Sequence, residues 1–471
     1  MGRKGRNING EWLEKELSKL VGEDNVSASM LRRAAYAKDI WPCCSGWVNK
    51  SASPCVAEAI VWPRSQRECA SVVRWCAEND ITMSVGSVFP GGCGQPPYPA
   101  GGILVDLKKM DKVKKINTTN LTAEVQAGVP GAKLEAELNE KGLTVGPVPP
   151  SFYCRSVGDW LSSPEVSKLP YVLGKTIDLV LALKGVLPGG TVFSSKESPR
   201  SATGPDLDHL IMGSGNSLAV ITGAMLAVRH LPEMKMSRAY MAPDFDTGAA
   251  VLRKITREAL VPSRAAVYDR QATALLAPRL GTDTDGCLLV LSFEGPDTPL
   301  DKAKADMAFK IAASETKELG EEKALAWLSR VRSTGFHRSA ATRAGKTHIA
   351  EVKAGAMWSA VPHAIKAACE LAGDFTVAAR ITDAYPQGAH LSFSLLSESG
   401  RPLREQELTP ARSSLIQAIM GSGAYVLGEP DICPAEEGSG ESLLARIIDG
   451  MKKTLDPEKN LTPEAEAIDH E

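Results

Sequence analysis

The chain has 471 residues, 43% apolar and 23% charged, with 54 basic against 56 acidic side chains for a net charge of −2. Those values supply material for two or three packed domains and exclude a disordered chain, a collagen-like repeat and a disulfide-stapled miniprotein. A balance so near neutrality gives no global field that would draw the protein to nucleic acid or an anionic lipid surface.

Met1–Asn7 is basic but no apolar run follows it, so no secretory leader is expected. The most apolar windows, Ile177–Leu187 and Leu218–Val228, are too short to span a bilayer. The expectation is a cytoplasmic protein without a transmembrane segment. Helical spacing runs over Glu11–Leu20 and Ala28–Ala37. Ala57–Trp62 reads as a strand, and Ser65–Asn79 as a helix opened by Ser65 with Glu68 three residues on. Thr82–Val85 is the next strand, followed by a Gly/Pro-rich loop from Gly86 to Gly102. Ile103–Leu107 is a strand and Lys108–Lys115 a polar connection. Thr122–Gln126 alternates as a strand and Val129–Lys141 is helical. Gly142–Pro170 reads as loop. Ile177–Leu187 and Thr191–Phe193 form a hairpin, and Leu207–Met212 and Ser217–Ile221 flank the turn Gly213–Gly215. Met225–Val228 is a strand. Beyond 236, strands alternate with longer helices (Phe245–Ala259, Pro299–Leu319, Ser359–Leu371), which implies an antiparallel sheet covered by helices, and Glu441–Leu455 is a terminal amphipathic helix.

Ten cysteines are present, six of them before residue 100, yet no Cys-x-x-Cys occurs. Zinc and iron–sulfur sites need that close spacing to bring two thiolates to one metal, so the thiols read as small apolar residues and no metal is expected. Cys69 and Cys76, two helical turns apart, have core spacing; Cys43-Cys44 beside Trp41 and Trp47 is the one unusual cluster.

A series of short motifs then stands in a telling order. They are Tyr36-Ala37-Lys38-Asp39, Ile60-Val61-Trp62-Pro63-Arg64-Ser65, Gly101-Gly102-Ile103-Leu104-Val105-Asp106-Leu107 and Val125-Gln126-Ala127-Gly128-Val129. Ser156-Val157-Gly158-Asp159-Trp160, Ser201-Ala202-Thr203-Gly204-Pro205-Asp206-Leu207 and the stretch Met451 to Thr462 follow. Together they resemble the type-4 FAD-linked oxidases and transferases of the vanillyl-alcohol-oxidase-like flavoproteins, the group of D-lactate and glycolate dehydrogenases and alkyl-dihydroxyacetone-phosphate synthase. The resemblance implies an α+β architecture: a two-subdomain FAD-binding fold plus an antiparallel-sheet substrate or cap domain covered by helices. The boundaries implied are an N-terminal helical segment 1–53, an FAD-binding domain 54–235, a cap domain 236–425 and a C-terminal helical segment 426–471 returning to the FAD domain.

Glycine-rich turns suit such a cofactor because backbone N–H groups without a Cβ in the way can approach a pyrophosphate. The resemblance places FAD contacts at Gly86, Gly91, Gly92, Gly94, Pro149, Ser156, Val157, Gly158, Gly204, Gly213 and Ile221. The phosphate loop departs from the family's pattern, with Phe89 and Pro90 in the middle of the expected nest, and Asp159 replaces a glycine where flavin or phosphate is expected. In the cap domain the resemblance implies catalytic roles for His390, Tyr385 and Glu429. Asp383 and Pro430 stand where the hydroxy-acid dehydrogenases carry histidines. Asp383, His390 and Glu429 would then form an acid/base group rather than a metal site. Arg338 and Arg343 lie in a basic stretch with Arg332 and His337 that could receive a substrate carboxylate or phosphate, or be a solvated helix face. His209 and His230 read as structural, His348 and His363 as unclustered, and Asp206 as a turn or cap residue.

Three functions follow as expectations. The first is an FAD-dependent oxidoreductase that oxidises a small 2-hydroxy acid, with His390 as base, and passes electrons to a partner protein. The second is a catalytically degenerate flavoprotein subunit acting as scaffold or electron relay. The third is a transferase like alkyl-dihydroxyacetone-phosphate synthase, taking a phosphate ester. All three suit an oligomer or a complex subunit.

Overall fold

The computed structural model describes residues 9–36, 57–86, 102–146, 148, 150–162, 176–198, 206–281, 285–331, 347–371, 375–397, 405–427 and 443–461. Among the described residues three larger sheets follow one another along the chain, each with its own apolar core, and a two-stranded sheet of Leu143–Thr144 and Arg229–His230 accompanies the second. The first unit holds helix α1 (Gly10–Val21), strand β1 (Val26–Ser27), helix α2 (Met30–Tyr36), strand β2 (Ala59–Val61), helix α3 (Gln66–Glu78), and strands β3 (Met83–Gly86) and β4 (Ile103–Asp106). Its strand order is β1-β2-β4-β3, with β2, β4 and β3 parallel and β1 antiparallel to β2. The Ser65 cap forms as the sequence implies: Ser65 Oγ accepts from Glu68 N at 3.2 Å. Glu68 Oε2 accepts from Arg64 N at 2.8 Å, one residue earlier than a reciprocal capping box would have it. Cys69 and Cys76 are fully buried against α1 and the sheet. Burial pushes the Cys69 thiol up to about 12, so it serves as an apolar filler. Cys43 and Cys44 lie outside the described residues.

The second unit contains strands β5 (Val113–Asn117) and β6 (Thr122–Gln126), helix α4 (Gly131–Asn139), strand β7 (Leu143–Thr144), and helices α5 (Pro150–Cys154) and α6 (Val157–Ser162). Strands β8 (Val180–Val186) and β9 (Val192–Ser194), helix α7 (Leu207–Ile211), and strands β10 (Val220–Ala227) and β11 (Arg229–His230) complete it. The main sheet is antiparallel in the order β5-β6-β10-β8-β9. Two expectations need correction here. The polar connection 108–115 contains the start of β5, an edge strand whose Lys114 and Lys115 face solvent, where charge discourages pairing with another chain. The expected loop 142–170 contains α5 and α6, which exist because Phe152, Val157, Trp160 and Leu161 enter the second core. Asp206 caps α7, accepting from Asp208 N and His209 N.

The third unit holds strand β12 (Met234–Ala242), helix α8 (Phe245–Arg257), strand β13 (Arg264–Tyr268), helix α9 (Arg270–Leu280), strand β14 (Cys287–Gly295), helix α10 (Pro299–Glu315), strand β15 (Lys317–Gly320) and helix α11 (Glu321–Val331). It continues with strand β16 (Thr347–Met357), helix α12 (Val361–Cys369), strands β17 (Phe375–Ala384) and β18 (Gly388–Ser397), helix α13 (Glu405–Gly421) and strand β19 (Tyr425–Leu427). Helix α14 (Leu443–Leu455) follows it. The eight strands form an antiparallel sheet, β15-β12-β14-β13-β17-β18-β16-β19. Helices α8, α10, α12 and α13 bury one face. On the other, α9 and α11 pack through Leu276, Leu280, Ala324 and Trp327 against Tyr268, Leu288 and Val290. Beyond these helices the second face continues on β17, β18 and β16 with polar side chains, among them Arg380, Asp383, His390 and Ser392. This is the α+β architecture with a helix-covered antiparallel sheet that the sequence implies.

Two buried carboxylates act as ties, the first within the third unit and the second between units. Asp269 caps α9, accepting from Ala272 N at 2.7 Å, and its other oxygen accepts from Ala379 N of β17 at 2.8 Å. Asp456 accepts from Asn460 N and Leu461 N, each at 2.9 Å, and pairs with Lys452 at 2.7 Å. Lys452 also donates to Ser217 O of the second unit at 2.7 Å, while Met83 N of β3 donates to Asn460 O at 2.7 Å. The terminal segment thereby locks onto both amino-terminal units.

Asp456→Ala should therefore lower the unfolding free energy by about 3 kcal/mol, because Lys452 and two buried N–H groups lose their partner. Limited proteolysis that cuts after residue 443 in the variant but not in the parent checks this. Burial pushes the Asp269 carboxyl up to about 6 despite its backbone donors. Since an unfolded Asp titrates near 4, the folded state holds the extra proton between those values, and stability from this group falls by about 3 kcal/mol as pH rises from about 4 to about 7. Denaturant midpoints of Asp269→Asn should lack that decline, although the variant starts lower through loss of the Ala379 contact.

Candidate active site

The parallel strands β2, β3 and β4 end together, and the second unit meets them along a seam of close backbone contacts. Gly158 N donates to Ala127 O at 2.7 Å, Val157 N to Val129 O at 2.9 Å and Gly128 N to Met110 O at 3.0 Å. A Cβ on Gly128 would stand 2.0 Å from Leu107 O, and one on Gly158 2.6 Å from the Ala127 Cβ. Only glycine permits this approach. The seam is thus glycine-lined for steric reasons before any ligand is considered.

A dinucleotide with two phosphate charges is repelled least where nearby carboxylates are paired, and among the described residues Asp106 and Asp159 are. Asp106, with no exposed side-chain surface, accepts from Tyr36 Oη at 2.5 Å and Trp62 Nε1 at 3.1 Å and pairs with Lys108 at 3.2 Å. Burial and Asp106 hold the Tyr36 hydroxyl above its usual range, so it stays a donor. Lys108, Lys109 and Arg32 stand 5.2, 5.4 and 5.6 Å from the Trp62 ring centroid, which makes this edge cationic. Asp159, a carboxylate where the family has glycine, is paired with Arg155 at 3.1 Å, and Arg155 Nη2 also donates to Asp159 O at 2.9 Å. The substitution leaves no bare charge against a phosphate. The described residues therefore fit the cofactor.

The polar face of the third sheet carries the second cluster, half-buried at His390 and more deeply at Asp383. β17 and β18 form a hairpin in which Asp383 lies opposite His390, with a bulge after Ile381. His390 Nδ1 is 4.0 Å from Asp383 Oδ2, too long for a hydrogen bond but close enough for the carboxylate to face the ring. The Tyr385 ring meets the His390 ring edge-on at 5.1 Å between centroids. The hairpin turn is fixed by Tyr385 N donating to Gly388 O at 2.8 Å and Trp358 Nε1 donating to Tyr385 O at 2.8 Å. Burial, with Asp383 nearby, pushes the Tyr385 hydroxyl up to about 12, so it is a proton donor at any physiological pH.

Of the residues singled out in the sequence, the structure brings His390, Tyr385 and Asp383 together. Gly86 ends β3 opposite Asp106, and Ser156, Val157 and Gly158 line the seam. Gly213, at φ +78°, donates to Leu161 O at 3.0 Å, and Ile221 is a core residue of β10. His209 pairs with Asp206 at 2.7 Å, and His230 and His363 are exposed away from the cluster. Gly91, Gly92, Gly94, Phe89, Pro90, Pro149, Gly204, Arg332, His337, Arg338, Arg343, Glu429 and Pro430 lie outside the described residues. Sequence reading missed Arg380 and Glu351, whose side chains pair at 2.8 Å on the same face as His390. The signal was there: Glu351, Lys353 and Gly355 alternate with buried Ala350, Val352, Ala354 and Ala356 along β16.

Comparison with known proteins agrees with this geometry. Residues 57–196 match the profile of an FAD binding domain, and residues 231–415 that of the C-terminal domain of FAD linked oxidases. Alkyldihydroxyacetonephosphate synthase of Caenorhabditis elegans is 27% identical over 220 residues, covering 46% of this chain and 37% of that protein. The chain thus spans well under two thirds of that relative. Glycolate oxidase subunit GlcD of Bacillus subtilis (strain 168) is 22% identical over 463 residues, 96% of each chain. A solved alkyldihydroxyacetonephosphate synthase shares the fold with a TM-score of 0.80 at 18% identity, over 98% of this chain and 86% of that one. Two consecutive profiles, met in order on a fold whose glycine seam and neutralised carboxylates accommodate a dinucleotide, establish that the chain belongs to the FAD-linked oxidase family, with FAD as its cofactor.

Proposed function

We propose that the protein is an FAD-dependent oxidoreductase subunit that oxidises a small 2-hydroxy acid and passes the electrons to a partner protein. The observation that carries this is the Asp383–His390–Tyr385 group on the polar face of the third sheet. Its cofactor contacts are Gly86, Gly91, Gly92 and Gly94, the seam at Ser156, Val157 and Gly158, and Pro149, Gly204, Gly213 and Ile221. Bound FAD supplies the hydride acceptor. His390 removes the proton of the substrate hydroxyl, and Asp383 stabilises the imidazolium that results. Tyr385, which keeps its proton, donates to the substrate oxygen and orients it toward His390. Trp358 and Gly388 hold the turn that presents Tyr385, so the two groups keep a fixed spacing. The name of the Bacillus subtilis relative, a glycolate oxidase subunit, supports both the substrate class and a partner that accepts electrons.

A second reading, a transferase acting on a phosphate ester, draws support from the likeness to alkyldihydroxyacetonephosphate synthases and from Tyr385. Anaerobic addition of D-lactate or glycolate to the FAD-loaded protein separates the two, since only the oxidoreductase bleaches its flavin absorption. Flavin retained without bleaching by any 2-hydroxy acid rejects the first reading. His390→Ala should slow bleaching about 100- to 10,000-fold while leaving the FAD-to-protein ratio unchanged; a rate equal to the parent's rules His390 out as base. Tyr385→Phe should slow it about 10-fold with a pH profile parallel to the parent's from about 6 to about 10, because the Tyr385 hydroxyl titrates only near 12.

A further inference from the structure

We propose that Arg380, held in place by Glu351, anchors the carboxylate of the 2-hydroxy acid whose hydroxyl faces His390. The inference rests on the reading of His390 as base and adds the group that selects the substrate. On β18, His390 and Ser392 are two residues apart and share a face, a spacing of about 7 Å. Arg380 on β17 is the direct partner of Ser392 in the ladder, so its side chain rises from the same face. Glu351 comes to this position from β16, where Glu351 lies opposite Ser394.

Glu351 Oε1 accepts from Arg380 Nη2 at 2.8 Å and from Ser392 Oγ at 2.6 Å. That fixes one edge of the guanidinium. Its Nε and Nη1 donate to no described residue, and Nη2 keeps a second hydrogen that, with the N–H beside it, makes the parallel fork a carboxylate accepts in bidentate fashion. The Arg380 side chain is 11% exposed and that of Glu351 30%, so the cation is partly withdrawn from water, where its attraction for an anion is screened least. A 2-hydroxy acid carries carboxylate and hydroxyl on adjacent carbons, and therefore needs an anchor and a base side by side on one surface. The grid places Arg380 in one row and Asp383 with His390 in the next. Lys353, opposite Ser392 from β16, adds a second positive charge to the anchor's row.

The test uses the full chain loaded with FAD and oxalate as a probe that binds without being oxidised, read by the perturbation of the flavin spectrum. The parent should bind oxalate. Arg380→Gln should weaken it about 100-fold and Arg380→Lys, which keeps the charge but loses the fork, about 10-fold. Glu351→Gln should raise KM for D-lactate about 5-fold with kcat changed less than about 2-fold, as expected of a positioning residue that acts through Arg380. Inorganic phosphate at the same concentration should not compete. Oxalate affinity equal to the parent's in both Arg380 variants overturns the proposal while leaving His390 as base untouched, and so does effective competition by phosphate. If Arg380→Gln does not fold, Arg380→Lys decides alone. A parent that binds no small carboxylate overturns the hydroxy-acid reading itself, and this anchor with it.

Discussion

Steric closeness at the seam is the constraint on which the molecule depends. Two strips of backbone, 127–129 and 156–158, run near enough to exchange N–H···O bonds, and the first strip also lies against the carbonyls that follow β4. Gly128 and Gly158 are where a methyl group would force the strips apart. Because Gly128 also lies against Leu107 and Met110, which follow β4, the same glycine sets how closely the second unit approaches the first.

Charge compensation completes the seam. A dinucleotide site cannot tolerate spare carboxylates, and this chain contains two in awkward places. Asp106 is surrounded by a phenol, an indole and an ammonium. Asp159 folds back onto Arg155, one turn earlier in the chain. The departure from the family pattern at Asp159 is therefore silent electrostatically, which the motif alone could not reveal because Arg155 lies outside it. The same logic operates in the third sheet, where Glu351 is shared between Arg380 and Ser392.

The parts legible in the sequence were those dictated by local chemistry. The Ser65 cap and the Asp206 cap each have a short-range cause, so pattern and structure agree. Strand β5 was hidden because an edge strand facing solvent can be as polar as a loop. Helices α5 and α6 were hidden by their brevity, since one or two turns give no periodicity to detect; long-range packing of Phe152 and Trp160 makes them. Arg380 went unnoticed because its meaning comes from register. A single arginine in a strand is unremarkable until the ladder sets it beside Ser392 and one row from His390.

The clamp at the far end of the chain bears on how the protein comes into being. Residues 460 and 461 pair with Met83 along the edge of the first sheet, a loop closed over most of the polypeptide. On a ribosome, β3 must wait with an open flank until nearly all the remaining chain has emerged, and closing so large a loop carries the highest entropy cost of any contact in the fold. Completion of this edge is in this way deferred until the segment around residue 460 has been made, and a nascent chain lacking that segment would present an unpaired edge to chaperones.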